Sequence, residues 1–335
     1  MPTYVRTQLV EHPVGDDGRV VLKVTSADTS IRGVDGETAR VRGTFEIRAG
    51  SEEEADRIFQ EVRLRIATGD RSLAVEEPAD HNSIGSILAR LFAGRGSVDL
   101  SVEAELPHHT RLELAGTSAD VQVEELWGDQ RYATVSGDLF LNELGGDVRV
   151  STISGDVTLR GKIPVSLNVD SVSGDLSLSA PTLHSLRLNS VSGDVEIEGE
   201  LAPFGDFRVD TVSGDVSVAL VGSATFHVRG ISSDIDTDLA HRLEGRMDRR
   251  RVIIGDGRPD FIFNSMSGDL SITGPRRFAG PRPPAPPPPP PPPPPRPAQV
   301  RAVSSEEQMA ILQALERGEI DVDEAARRLA GEPPR

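Results

Sequence analysis

The chain has 335 residues, a formal net charge of −17 at pH 7 and no cysteine. These values exclude disulfides, thiolate metal sites and cysteine nucleophiles. A charge of this sign also argues against nucleic acid and anionic membrane surfaces as partners. Aromatic residues make up 4% of the sequence, with one Trp and two Tyr, so Val, Leu and Ile must fill any core, which suits thin, repetitive β-structure. No apolar run of secretory length opens the sequence and none reaches the ~18 residues of a membrane span. The expectation is a cytoplasmic protein, with peripheral contact at the inner membrane face left open.

In chain order, Val20–Val24 and Val41–Ile47 read as strands. Ser51, with Glu54 three residues on, has the spacing of a helix N-cap, and Ala55, Ile58, Phe59 and Val62 form the apolar stripe of that helix. Thr68-Gly69-Asp70 is a hairpin turn between Leu64–Ile66 and Leu73–Val75. Ile84, Ile87, Leu88, Leu91 and Phe92 have helical spacing and read as packing over the end of the next domain, an interfacial membrane helix being the alternative. His108-His109 follows Pro107 in a loop. Residues 1–110 are thus expected to be an α+β capping region.

From there one pattern recurs: Thr or Ser, an aliphatic residue, Ser-Gly-Asp, then aliphatic-x-aliphatic. Its turn residues are Gly137-Asp138, Gly155-Asp156, Gly174-Asp175, Gly193-Asp194, Gly214-Asp215 and Gly268-Asp269, with variant turns at Asp28, Asp120 and Asp234. From Asp120 to Asp234 the steps are 18, 18, 19, 19, 21 and 19; the step to Asp269 is 35, close to two periods with one degenerate copy. Period-2 alternation flanks each turn, as in Val195-Glu196-Ile197-Glu198 and Phe207-Arg208-Val209-Asp210, which marks strands with one buried face. The fold class is therefore all-β. A parallel β-solenoid of ~19-residue coils over residues 111–275 is favoured, because a coil must return after a fixed length; an antiparallel meander is the alternative. Glycine suits a turn with positive φ, and Asp can cap its own turn. Ala27, Ala119 and Ser233 replace the glycine. Either those coils accept strain or the turn does not require positive φ.

Arg246, Arg249, Arg250 and Arg251 form a basic cluster in the degenerate repeat and are candidates for contact with an acidic partner or lipid. Residues 276–303 are a proline-rich linker, with ten prolines in a row from Pro286 to Pro295, a polyproline II rod of roughly 50 Å. Residues 304–335 read as a two-helix hairpin with capping spacings at Ser304/Glu307 and Asp321/Glu324 and a stop at Gly318. Leu312, Leu315, Ile320 and Leu329 lie on its apolar face. So short a hairpin needs a partner to bury that face, so self-association or protein docking is expected here.

No arrangement for chemistry stands out. The aspartate row could hold Ca²⁺ by its carboxylates, but it lacks the glycine pairs of calcium-binding nonapeptides, and a turn role fits better. Paired carboxylates for glycoside chemistry would need a local cluster that no coil shows. No Ser-His-Asp set, Walker loop or dinucleotide fingerprint is present. The expectation is no enzyme, no cofactor and no metal.

The Val-Ser-Gly-Asp-[Val/Leu]-x-[Val/Leu] copies at 172–178, 191–197 and 212–218, with the Glu-rich helix ahead of them, resemble the bacterial family called domain of unknown function 4097, the adhesin-like β-strand-repeat proteins. That resemblance covers roughly residues 15–274 and implies a β-helical fold and a role in surface or envelope biology. The tail from Ser305 to Ala326 resembles a SHOCT-like helical module, which accompanies such repeats in bacterial envelope-stress proteins. Together they imply a structural or interaction scaffold, a self-assembling filament being the runner-up.

Overall fold

The computed structural model describes residues 2–78, 98–232, 234–246 and 249–275, without the side chains of Ile231, Ser232 and Arg246. The expected helix at 83–94, Ser233, the proline-rich linker and the C-terminal hairpin with Leu312, Leu315, Ile320 and Leu329 lie outside the described residues.

The described residues are built almost wholly of strands. In order these are β1 (Thr3–Pro13), β2 (Arg19–Lys23), β3 (Asp28–Val34), β4 (Thr38–Arg48), β5 (Arg65–Gly69), β6 (Ser72–Glu76), β7 (Val98–Pro107), β8 (Arg111–Ala115), β9 (Val121–Glu124), β10 (Gln130–Thr134), β11 (Leu139–Thr152), β12 (Val157–Ser171) and β13 (Leu176–Ser190). There follow β14 (Val195–Leu201), β15 (Phe207–Ser213), β16 (Val216–Val221), β17 (Ala224–Ser232), β18 (Ile235–Thr237), β19 (His241–Arg246), β20 (Arg249–Ile254), β21 (Asp260–Ser267) and β22 (Leu270–Thr273). Among the described residues one helix, α1 (Glu52–Val62), interrupts them.

The strands stack as two parallel ladders facing each other across one core. The first ladder runs β6, β2, β8, β10, the second halves of β11, β12 and β13, then β15, β21 and β17. The second runs β7, β3, β9, the first halves of β11, β12 and β13, then β14, β16, β22 and β18. Each coil contributes one strand to each ladder; in six coils, those of Asp138, Asp156, Asp175, Asp194, Asp215 and Asp269, the two strands are joined by a Ser-Gly-Asp turn. Parallel pairing throughout the repeats selects the solenoid over the meander. Long strands such as β11 serve two coils because they bend at the corner, where their register shifts at Leu144.

The core is a column of inward aliphatic residues, one set per coil: Leu112 and Leu114, Leu139 and Leu141, Val148 and Val150, Leu186 and Leu188, all fully buried. Equivalent residues of successive coils touch, so each coil buries its apolar face only because its neighbours are there. Near one end the aliphatics give way to phenylalanines, Phe207 stacking on Phe261 at 6.5 Å and Phe226 meeting Phe261 at 5.0 Å.

That aromatic contact reveals a topological difference from the expected single run of coils. The final coil, β21–β22, lies between the β15–β16 coil and the β17–β18 coil. The 35-residue step is therefore not a degenerate coil. Strands β19 and β20 leave the coil path and pair antiparallel with each other, and β20 also runs antiparallel to β17. A similar inversion marks the other end, where the β6–β7 coil stacks outside β2–β3. There β1, β4 and β7 continue one ladder with antiparallel pairs, and β5 flanks β6 in the same sense.

Helix α1 packs on this end. Ser51 caps it by accepting from the Glu54 N–H at 3.3 Å, and Glu54 in turn accepts from the Gly50 N–H at 2.9 Å. Ala55 and Val62 are buried, and Phe59 meets Phe45 edge-on at 5.2 Å. Gln8 acts as a short strand mimic, donating to the Leu64 carbonyl and accepting from its N–H.

Candidate functional site

The Ser-Gly-Asp edge is the most regular surface of the molecule, and each residue type in it has a separate cause. The inward position before the turn is Thr or Ser: Thr152, Ser171, Ser190 and Thr211 are buried, and each hydroxyl donates to the carbonyl of the residue two further on. The turn serines Ser136, Ser154, Ser173, Ser192 and Ser213 each donate to a carbonyl of the preceding coil, as Ser173 does to Ile153 at 3.2 Å and Ser192 to Val172 at 3.4 Å.

Glycine follows for two reasons at once. Gly174 has φ +112°, and a Cβ there would lie 2.3 Å from the Gly155 carbonyl oxygen below it. Gly137, Gly155, Gly193 and Gly214 repeat both features, and Gly268 repeats them at φ +158°. Ala27 and Ala119 are fully buried and are not among the residues with positive φ. Those two coils therefore escape the strain by adopting a different backbone at that position.

The aspartates do not cap their own turns. Each Oδ1 instead accepts from the backbone N–H of the aspartate in the next coil at 2.9 Å, from Asp120 through Asp138, Asp156, Asp175, Asp194 and Asp215 to Asp269. Asp269 accepts in the same way from Asp234 at 2.7 Å, which places Asp234 beyond Asp269 in space. The ladder couples coil to coil, so the spacing of the turns reflects a contact between repeats. Among the described residues no group of three or more His, Asp or Glu is placed to hold a metal ion.

One feature of this edge escaped the sequence reading. The aliphatic residue before each turn serine points outward, since the alternation that buries Thr152 and Ser171 must expose Ile153 and Val172. Val135, Ile153, Val172, Val191, Val212 and Met266 are between 43% and 57% exposed. They occupy six coils adjacent in space, held in line by bonds such as Ser154 N–H to the Val135 carbonyl and Ser192 N–H to the Val172 carbonyl. At a strand spacing of ~4.8 Å they form an apolar row about 24 Å long.

Two polar columns lie beside that row on the same face. The nearer contains Ser151, Asp170, Asn189, Asp210 and Asn264 in successive coils. Its amides bond its carboxylates, Asn189 to Asp170 at 2.7 Å and Asn264 to Asp210 at 2.5 Å. Burial pushes the Asp210 carboxyl up, but hydrogen bonds from Arg208 and Asn264, with the charge of Arg208, outweigh it and hold the group below the ordinary range. The farther column contains Arg131, Arg149, Asn168, Arg187 and Arg208. Arg187 pairs with Asp206 and Arg208 with Asp210, whereas Arg131 and Arg149 have no ion-pair partner among the described residues.

The opposite corner is irregular. Glu125 and Glu143 hold the left-handed conformation at φ +59° and +54°, and Lys162 pairs with both, at 3.6 Å and 2.5 Å. His108 stacks on Trp127 at 4.2 Å and bonds the Glu125 carbonyl, which makes it a packed corner residue. Phe204 projects from this corner at 95% exposure. Of the basic cluster, Arg249, Arg250 and Arg251 lie on β20, where Arg249 is opposite Arg229 and Arg251 opposite His227. Arg251 reaches Glu244 at 3.7 Å. Arg246 ends β19 opposite Arg249. A shallow basin of about 420 Å³ near the N-terminal end is lined by Arg32, Arg40 and Arg42, each paired with a glutamate. Among the described residues no helix is long and apolar enough to cross a membrane.

These features define a two-sided parallel β-solenoid whose distinctive surface is a repeated turn edge, a geometry suited to binding by shape and apolar contact. The chain belongs to the Toastrack DUF4097 family, whose model matches residues 18–273. Solved structures to which the chain is similar include a "putative adhesin" from Bacteroides fragilis, 11% identical, covering 80% of this chain and 97% of that one with a TM-score of 0.43. A "putative lipid binding protein" from Parabacteroides distasonis is 13% identical, covering 81% and 97%, also with a TM-score of 0.43. A "putative cell adhesion protein" from Clostridium sporogenes is 12% identical, covering 82% and 100%, with a TM-score of 0.27. No curated protein matches the chain.

Proposed function

We propose that the chain is a non-enzymatic interaction scaffold, and that the aliphatic row along the Ser-Gly-Asp edge is its recognition surface. The observation that carries this reading is the row itself. Six coils adjacent in space each expose one aliphatic or thioether side chain at the same position, next to the turn. Contiguous exposed apolar surface of this kind marks interaction sites in soluble proteins. Membership of a family of unknown function whose structural relatives carry adhesin and lipid-binding names agrees with binding rather than turnover.

The finer parts of the reading rest on sequence resemblance. The SHOCT-like tail, through Leu312, Leu315, Ile320 and Leu329, recruits or oligomerises, and the proline rod gives it reach. The setting is a bacterial cell-envelope stress response, with the chain on the cytoplasmic side and at most peripheral at the inner membrane face.

The test is site-specific photo-crosslinking in cells. A crosslinking residue at Val191, on the row, is compared with one at Ser177, on the outer face of the other ladder. Discrete protein adducts at Val191 and none at Ser177 support the proposal. No adduct at Val191, or equal labelling at both positions, removes it.

A further inference from the structure

Resting on that reading of the row, we propose that its occupant is a second copy of this chain, docked row against row with the two solenoid axes parallel. Charge placement selects both the partner and the orientation. On one side of the row, three residues away across the turn, runs the carboxylate ladder of Asp138, Asp156, Asp194 and Asp215. On the other side, four residues or about 13 Å away, runs the column of Arg131, Arg149, Arg187 and Arg208, coil for coil.

Rotation by half a turn about an axis lying along the row carries each column to the opposite side. Asp138 of one copy then faces Arg131 of the other in the same coil, and Asp156 faces Arg149. Arg131 and Arg149 are the arginines of the column without an ion-pair partner among the described residues. The antiparallel docking, with the twofold axis across the row, places carboxylates against carboxylates and arginines against arginines. Like charges opposed in this way are strongly disfavoured. A self-complementary patch is also what a twofold interface requires.

The extent of the face sets the strength. A strip about 24 Å long and roughly 20 Å wide buries ~1,000 Å² over both copies, the lower limit for specific association. The dimer is therefore weak and reversible, and the overall charge of −17 opposes it further.

The full chain is measured by sedimentation velocity over roughly 1–500 µM, where an interface of this size populates a dimer. The expected result is a reversible dimer whose dissociation constant rises by at least about tenfold in Val172→Asp/Val191→Asp. Val172→Ser/Val191→Ser serves the same purpose should the charged pair perturb folding by circular dichroism. Orientation is read by disulfide trapping, since the chain has no cysteine of its own. Val135→Cys and Met266→Cys should each cross-link to their own counterpart. A monomer at every concentration, a dimer that neither row variant weakens, or cross-links formed only between Val135→Cys and Met266→Cys in a mixture overturns the proposal. Adducts at Val191 to a different protein, from a chain that stays monomeric, would end this inference and leave the interaction surface standing.

Discussion

Replacing Gly174 by alanine isolates what the turn ladder demands of its glycine. The φ of +112° costs an L-residue about 1–3 kcal/mol. The new Cβ would sit 2.3 Å from the Gly155 carbonyl oxygen, and relieving that overlap costs about 1–3 kcal/mol more. The sum is about 2–5 kcal/mol, some of it recoverable because a solenoid can loosen locally between coils. Two other glycines separate the terms. Gly36 has φ +134° with nothing within 4 Å of a Cβ, so Gly36→Ala carries the backbone cost alone. Gly116 is not among the glycines with positive φ and its nearest contacts are 3.7–3.9 Å, so Gly116→Ala should be neutral or stabilise by about 0.4–1 kcal/mol through the unfolded chain. Thermal melts followed by circular dichroism should therefore rank Gly116→Ala at or above wild type, Gly36→Ala below it and Gly174→Ala lowest. At about 2–4 °C per kcal/mol for a domain of this size, Gly174→Ala should melt roughly 5–15 °C below wild type. A Gly174→Ala melt equal to that of Gly36→Ala would show that the close approach between coils carries no cost. One equal to wild type would refute the account of the turn altogether.

Other expectations follow from the same geometry. Asp175→Asn keeps the Oδ1 acceptor for the Asp194 N–H while removing one charge from a row of like charges. It should match or exceed wild type at low salt and converge with it at high salt, whereas Asp175→Ala should cost about 0.5–1.5 kcal/mol. An asparagine variant as damaged as the alanine one would mean that charge, not the acceptor, holds the turn. Tyr132 is fully buried, and its hydroxyl donates to Gln130 Oε1 at 2.8 Å, so Tyr132→Phe should cost about 1–2 kcal/mol in urea unfolding. Burial also pushes the Tyr132 phenol up, far beyond its ordinary value. Because the raised value belongs to the folded state, the stability it gives is present below about pH 10 and is lost as pH rises above that. Its phenolate absorbance should accordingly appear only with the unfolding transition in an alkaline titration. The buried Ser265 hydroxyl has no hydrogen-bond partner among the described residues, so Ser265→Ala should be neutral or stabilising, while Ser190→Ala, which removes a donor to the Ser192 carbonyl, should destabilise by about 1 kcal/mol in the same assay.

Much of this fold is legible in the repeats because a solenoid writes its geometry into spacing. The near-constant step from Asp120 to Asp234 reports one turn of the coil, and Val195-Glu196-Ile197-Glu198 reports which face is buried. What spacing does not encode is order in space. Nothing local to Asp260–Thr273 says that it enters between coils already passed, and the β19–β20 pair mimics part of a missing coil. The outward aliphatic row was readable in principle. Counting by twos from Val150 buries Thr152 and leaves Ile153 outside, against the habit of sending every aliphatic residue to the core. The reach of each aspartate to the next coil was not readable, because the same Ser-Gly-Asp triplet would serve an isolated turn.

The intercalated final coil bears on how the molecule is made. During synthesis the β17–β18 segment leaves the ribosome before the strands it must pair with exist. The slot between it and β15–β16 can close only when residues 260–273 arrive, a few seconds later at ordinary elongation rates. Until then two strand edges and the phenylalanine layer stand open. A ribosome stalled in the 240s would release a chain with its last coil unroofed, while one that finishes seats the missing course and locks both neighbours at once. The wall is laid out of sequence, so the β15–β16 and β17–β18 coils both gain their shared neighbour only once the last coil has been translated.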